Sequence, residues 1–170
     1  MNKRLLGDLR TDHAGETGAV FIYKGILSVS RDRDVRRFSE HHLATETEHL
    51  RLVEEVLPEK HRSRLIPLWR AAGWLTGAVP ALFGPAAVYR TIDAVETFVD
   101  QHYQEQIDWL AADGSTPEIL ALLKKCQADE IAHRDEARAA GEEAPSGFGK
   151  IWGALVGAGS KAAVDAARVI

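Results

Sequence analysis

The chain has 170 residues, 45% of them hydrophobic and 27% charged, as expected for one folded domain (residues 1–170) with a sizeable core. Its net charge of -4, without a basic arm, excludes a general attraction to nucleic acid, so we expect no nucleic-acid partner. The only cysteine, Cys126, excludes an internal disulfide and a four-cysteine metal module, and the N-terminus lacks the apolar stretch of a signal peptide.

The first half of the chain predicts one helical hairpin. Apolar residues at helical spacing predict a first helix over about 12–30, with Thr11 or Asp12 as its N-cap. A polar connection follows, and a second helix is expected over about 34–57, where Pro58 ends it. Because the connection is short, the two helices are expected to lie antiparallel.

Residues 58–85 form an apolar crossover that prolines and glycines interrupt. A membrane-spanning helix needs roughly 20 consecutive apolar residues. The interruptions therefore favour an irregular, partly helical crossover at an interface over a true membrane span.

The second half of the chain predicts another hairpin. A helix is expected over about 85–112, because proline at position 85 suits a first helical turn. The segment 113–117 is a strong turn, and a further helix is expected over about 117–140, ending at Gly141. Two hairpins joined by one long crossover predict an all-α fold, the ferritin-like four-helix bundle. The apolar tail 147–170 predicts an additional C-terminal helix that either associates with a membrane or packs on the bundle.

Two copies of the motif Glu-x-x-His lie on predicted helices, Glu46 to His49 and Glu130 to His133. Positions i and i+3 share one face of a helix, so each motif can direct a carboxylate and an imidazole at one point. The preceding helix of each hairpin carries an isolated glutamate on a largely apolar face. These two residues are Glu16 and Glu96.

This set of side chains predicts a metal centre. Two helices that each supply one glutamate and two that each supply Glu-x-x-His are the ligand set of di-iron and di-manganese carboxylate proteins. The four carboxylates would balance the charge of two divalent cations, and oxygen with imidazole ligands favours iron or manganese. The predicted ligands are Glu16, Glu46, His49, Glu96, Glu130 and His133.

Other side chains are candidates beside this centre. Asp129 is placed to hydrogen-bond an imidazole of a neighbouring helix. Tyr23 and Tyr103 each lie seven positions after a predicted ligand, so each either belongs to the core or controls oxygen and protons. Cys126 favours packing, and the role of His13 stays open. The remaining histidines of the first half are interpreted as surface or capping residues: His41, His42 and His61.

Several segments occur in one characteristic order: Asp12-His13-Ala14-Gly15-Glu16, Ile22-Tyr23, Glu46 to Leu50, Leu68 to Gly73, Ala81 to Gly84, Ala94-Val95-Glu96, His102-Tyr103, Asp129 to His133, and Arg168-Val169-Ile170. In this combination, nearly end to end, the chain resembles the demethoxyubiquinone hydroxylases of ubiquinone biosynthesis.

The resemblance implies a di-iron monooxygenase that uses O2 to hydroxylate the ring of a polyprenylated methoxy-methyl-benzoquinol, demethoxyubiquinol. It implies that the predicted ligands hold two iron ions, with Glu46 and Glu130 bridging them. His102 joins Tyr103 and Tyr23 as a candidate catalytic residue.

The resemblance also implies an electron source, a location and partner proteins. Electrons would come from NADH directly or through the quinol. The protein would bind the membrane surface peripherally, on the cytoplasmic face of a bacterial inner membrane or the matrix side of the mitochondrial one. A lipid-binding partner protein or a biosynthetic complex would be further partners.

Other function classes remain as alternatives. The main one is a ferritin-like ferroxidase or iron-binding protein without an organic substrate, which would form a large soluble cage. A rubrerythrin-like peroxidase is disfavoured by the missing cysteine module. A metal-free helical adaptor on membranes would be recognised by a lack of bound metal.

Overall fold

The part of the chain that the structure describes is mostly helical, and no strand occurs there. The structure, a computed structural model, describes residues 2–141 and six positions of the C-terminal segment: Val156, Gly159, Val164, Ala166, Ala167 and Arg168. The predicted tail helix over 147–170 lies mostly outside the described residues. The α-helices are α1 (Lys3–Val29), α2 (Arg33–Val56), α3 (Ile66–Ala81), α4 (Pro85–Asp113) and α5 (Pro117–Ala140), with a 3₁₀ turn at Glu59–His61.

Four of these helices form the bundle. α1 packs on α2 and α4 packs on α5, each pair joined by a short connection, while α2 also contacts α5. α3 lies in the long crossover and packs mainly against α1, with a smaller contact to α4. The prediction of an all-α, ferritin-like bundle is confirmed.

The start of α1 differs from the prediction. The helix begins directly after Asn2, whose side-chain oxygen accepts a hydrogen bond of 2.8 Å from the backbone N–H of Leu5. Leu5 and Leu9 are buried, so the apolar face continues well before the expected start. Thr11 and Asp12, the expected caps, lie inside the helix. The prediction missed this part because Gly7 and several charged residues interrupt its apolar pattern.

The other helix ends agree with the expected turns. The Asp32 side chain caps α2 by accepting hydrogen bonds from the backbone N–H groups of Asp34 and Val35. α4 and α5 both begin with a proline. Gly114 ends α4 with a left-handed φ of 67°, a conformation that glycine adopts without strain.

The crossover is more regular than predicted, because α3 is a continuous helix of 16 residues. One proline lies in its first turn, where no N–H is needed, and Pro80 lies near its end. Gly73 and Gly77 face α1 at backbone contact. A Cβ atom at position 77 would lie 1.9 Å from the carbonyl oxygen of Ile22. The glycines that suggested irregularity instead let two helices meet closely.

The outer face of α3 is apolar. Within the described ranges, no helix has both the length and the hydropathy needed to cross a bilayer. Large hydrophobic side chains are nevertheless exposed along α3 and just after it: Leu68, Trp74, Leu75, Leu82 and Phe83.

Two separate hydrophobic clusters fill the bundle, one towards each end. The first includes Ile26, Phe38 and Ile92, and the second includes Leu9, Leu110 and Leu123. The predicted ligands lie on the helical segments between these clusters. A buried polar layer is therefore closed off at both ends by apolar packing.

Candidate metal centre

The six predicted ligands are buried, and each is no more than 4% exposed. α1 and α4 each contribute one glutamate to the polar layer, whereas α2 and α5 each contribute a Glu-x-x-His pair. All six side chains meet in the middle of the bundle: Glu16, Glu46, His49, Glu96, Glu130 and His133.

The side chains form two overlapping groups of four. In each group, one ligand atom per residue lies within 4.8 Å of the others. One group is completed by Glu16 and His49, and the other by Glu96 and His133. Glu46 and Glu130 belong to both groups, so their carboxylates lie between two adjacent metal-sized positions.

Each imidazole turns its Nδ1 atom towards the shared carboxylates. His49 Nδ1 lies 3.0 Å from Glu130 Oε1, and His133 Nδ1 lies 3.0 Å from Glu46 Oε1. Each histidine thus contacts the shared glutamate of the opposite Glu-x-x-His motif. The two imidazole rings are nearly parallel, with centroids 6.5 Å apart.

Several buried polar atoms in this layer have no hydrogen-bond partner among the residues that the structure describes. They are Glu16 Oε2, both carboxylate oxygens of Glu46, Glu130 Oε2 and His133 Nδ1. Buried polar atoms are normally hydrogen-bonded, and leaving them unpaired is costly. Unpaired carboxylate oxygens and an imidazole nitrogen that converge on one space fit divalent cations, and this donor set suits iron or manganese.

Electrostatics in the layer depend on burial and on crowding of like charges. Burial and the neighbouring carboxylates raise the pKa of Glu16 and of Glu96 well above the usual value. Burial opposes ionisation of Glu130, but the adjacent imidazoles of His133 and His49 hold its pKa at about 2. Burial also opposes charging of the imidazoles, yet the carboxylates raise the pKa of His49 to about 10 and that of His133 to about 9. Protons therefore neutralise much of the layer at neutral pH when no cation does.

Three of the additional candidates contact the layer directly. Asp129 Oδ2 lies 2.9 Å from His49 Nε2, on the side of the ring away from the shared carboxylates. Tyr23 donates a hydrogen bond of 3.4 Å to Glu96, and Tyr103 donates one to Glu16. Each tyrosine thus contacts one of the two glutamates that belong to a single group.

His102 lies apart from the six side chains. Its Nε2 atom is 3.0 Å from the Thr11 hydroxyl, 2.9 Å from the Gln106 amide nitrogen and 3.3 Å from Asp12 Oδ1. Gln106 also donates a hydrogen bond of 2.6 Å to Asp12. Sequence reasoning did not single out Gln106, although it lies one turn after His102 on the same helical face.

His42 was predicted at the surface, and that prediction was wrong. The side chain is only 3% exposed and lies edge-to-face against His133, with ring centroids 4.0 Å apart. Burial and the neighbouring histidines lower its pKa to about 3, so the ring is neutral. Its position one turn before Glu46 and two turns before His49 was the signal that could have placed it inward.

A cavity of about 600 Å³ opens beside the polar layer. Both shared glutamates and both single glutamates reach its wall, together with His102 and Tyr103. Most of the remaining wall is apolar and comes from α1, α3 and α4. These residues include Ala14, Gly15, Gly18, Ala19, Ile22, Leu68, Trp69, Ala72, Gly73, Val95, Phe98 and Val99.

A four-helix bundle with a long crossover and a buried carboxylate–histidine layer defines a ferritin-like protein with a site able to hold metal. The family model described as "Ubiquinone biosynthesis protein COQ7" matches residues 3–167. The chain belongs to this family.

Characterised relatives agree with the family assignment. A Rhodospirillum rubrum protein named 3-demethoxyubiquinol 3-hydroxylase is 36% identical over 159 residues, which cover 92% of this chain and 74% of that protein. A mitochondrial protein of Caenorhabditis elegans, named NADPH-dependent 3-demethoxyubiquinone 3-hydroxylase, is 30% identical, with 95% of this chain and 88% of the relative aligned. The human protein of that name is 33% identical, over 75% of this chain but only 60% of its own length.

Proposed function

We propose that the chain is a di-iron monooxygenase that uses O2 to hydroxylate the ring of a polyprenylated demethoxyubiquinol in ubiquinone biosynthesis. One observation carries the proposal: two groups of ligand atoms share Glu46 and Glu130, and these residues border the apolar cavity. The names of the relatives support the choice of reaction and substrate.

The residues of the layer have separate tasks in this proposal. Glu16 and His49 would hold one iron ion, and Glu96 and His133 the other, with the shared carboxylates between them. When bound, the two ions supply the electron storage and dioxygen activation that ring hydroxylation requires. The tyrosine hydroxyls restrain the two single glutamates, and Asp129 restrains His49 through Nε2.

The cavity would receive the aromatic ring and the start of its isoprenoid chain. Apolar walls exclude water from the reacting carbon, while the layer of carboxylates forms the polar end. His102 lies on the wall within a polar group that includes Asp12 and Gln106, so it would orient the ring or carry protons. Reduced nicotinamide nucleotide, either directly or through the quinol, is the proposed electron source.

The apolar face of α3 supports a peripheral membrane position. α3 lines the cavity with Trp69 and Gly73 on one face and exposes Leu75 on the other. A long-chain quinol could then pass between lipid and cavity beside one helix. We place the protein on the cytoplasmic face of a bacterial inner membrane, or on the matrix side if it is mitochondrial, with a lipid-binding protein or biosynthetic complex as partner.

Replacing Leu82 and Phe83 together by serine is expected to weaken binding to liposomes by about tenfold, because about 70% of each side chain is exposed at the end of the apolar face. Co-sedimentation with vesicles of phosphatidylethanolamine and phosphatidylglycerol measures this. Exposed Glu118 is the control position, and Glu118→Ser should bind as the wild type does. Equal binding by all three proteins would contradict the membrane position.

Metal affinity is expected to rise with pH between about 6 and 9. The raised pKa values of His49 and His133 mean that both rings are protonated below about 9 and must lose those protons before Nδ1 can bind a cation. Each displaced proton changes the apparent association constant by about tenfold per pH unit. Competition between the protein and a calibrated chelator for Mn²⁺ at several pH values measures the slope, and a flat profile would contradict the assignment of these imidazoles as ligands.

Gly18→Leu is expected to lower hydroxylation at least about tenfold while leaving metal content unchanged. Among the described residues, a Cβ atom at this position meets no heavy atom within 4 Å, so the longer side chain extends from the cavity wall into open space. Gly18→Ala is the matched control and should retain most activity. Full activity of the leucine variant would show that the substrate ring does not use this cavity.

The direct test is complementation of a strain that lacks demethoxyubiquinol hydroxylation, followed by analysis of its quinones. The wild-type chain should convert the accumulated demethoxyubiquinone to ubiquinone. A chain that is well expressed and loaded with iron but converts no demethoxyubiquinone would refute the proposed hydroxylase function. In that case, a large iron-filled assembly on size-exclusion chromatography would establish the ferroxidase alternative.

A further inference from the structure

The imidazoles of His49 and His133 in the polar layer are restrained by different contacts. His49 is held from outside by the carboxylate of Asp129, 2.9 Å from its Nε2 atom. The corresponding neighbour of His133 is an aromatic ring, because His42 packs edge-to-face on it with centroids 4.0 Å apart. The two halves of the layer are therefore built unequally.

The position of His42 is itself fixed on several sides. Its ring packs against Phe38 with centroids 4.2 Å apart, and Tyr23 lies at 5.9 Å. Its Nε2 atom lies 2.9 Å from a carboxylate oxygen of Glu136, whose side chain is 53% exposed. A buried ring packed on several sides in this way has one orientation, and it can transmit that orientation to the imidazole on which it packs.

We propose that His42 is a positioning residue that holds the His133 imidazole with Nδ1 towards the shared carboxylates, and that Glu136 anchors His42. The inference rests on the proposed metal centre. Of the two ligand imidazoles, His42 packs on His133 and, among the described residues, not on His49, so its effect should be confined to the group that contains Glu96 and His133. Aromatic contact, rather than a charge or a metal bond, supplies the restraint.

The test compares two substitutions that both fill the space of the ring. His42→Leu removes the planar edge, whereas His42→Phe retains it. Titration with Co²⁺, in competition with a chromogenic chelator, gives the affinity of each of the two positions, and the visible absorption of bound Co²⁺ reports the ligand geometry. We expect His42→Leu to weaken one position at least about tenfold and change its spectrum, while the other position keeps its affinity.

The controls separate positioning from general packing. His42→Phe should restore wild-type affinity and spectrum, and Glu40→Ala, a change of an exposed residue on the same helix, should alter neither. If His42→Leu does not fold, as judged by circular dichroism without metal, Glu136→Ala replaces it and should weaken the same position. Two unchanged Co²⁺ affinities in the variant used, equal losses at both positions, or a phenylalanine variant that resembles the leucine variant would overturn the proposal. A wild-type chain that binds no Co²⁺ at all would instead refute the metal centre itself.

Discussion

Glu46→Ala is expected to remove both metal ions and to lower hydroxylation at least about a thousandfold. The carboxylate of Glu46 is shared by both groups of ligand atoms, so its loss breaks both positions at once. Metal analysis of protein loaded with Fe²⁺ without oxygen, together with quinone analysis, measures the two effects.

Glu96→Ala tests whether a ligand of one group affects metal binding differently from a ligand shared by both groups. Glu96 belongs to only one group, so this variant should keep about one metal ion per chain and still lose turnover. Glu48→Ala is the matched control on α2, because its side chain is 46% exposed and pairs with Arg51 at the surface. Full metal content in Glu46→Ala, or equal metal loss in all three variants, would contradict the ligand assignment.

Gly77→Ala is expected to destabilise the fold by about 3 kcal/mol or more, with a fall in Tm of about 10 °C. The added Cβ atom would lie 1.9 Å from the carbonyl oxygen of Ile22 and 2.8 Å from its carbonyl carbon. Backbone atoms cannot rotate away as a side chain can, so α3 must separate from α1. Thermal unfolding followed by circular dichroism measures the effect.

Gly15→Ala is the control for this substitution. Gly15 also lies within a helix, but a Cβ atom there meets nothing within 4 Å in the part of the chain that the structure describes. Alanine favours the helix over glycine by up to about 1 kcal/mol, so this variant should be as stable as the wild type or more so. If the Gly77→Ala protein has the same Tm as the Gly15→Ala protein, α3 does not contact α1 as closely as described.

The sequence was informative about the polar layer because the motif that predicts it, Glu-x-x-His, lies within one helical turn. The spacing of Glu46 and His49 places both on one face of any helix, and the same holds for Glu130 and His133. Hairpin connectivity then brings the single glutamates of α1 and α4 to the same level. Convergence of these residues could therefore be predicted without knowing how the helices pack.

The features that were missed depend on packing between distant segments. His42 resembles an exposed residue because it neighbours His41 in a polar stretch, yet it is buried against His133 of α5. The glycines of α3 resemble helix breakers until the backbone of α1 is placed beside them. The cavity has no signature in any single segment, since its walls come from all five α-helices and the C-terminal segment.

The unequal contributions of the helices divide the protein into two parts that can vary separately. α2 and α5 supply both imidazoles and both shared carboxylates, whereas α1, α3 and α4 supply most of the cavity wall. Substitutions on α1, α3 and α4 can change the shape of the cavity without altering four of the six ligands. Descendants of such a scaffold can thus acquire a new organic reactant while conserving the inorganic chemistry.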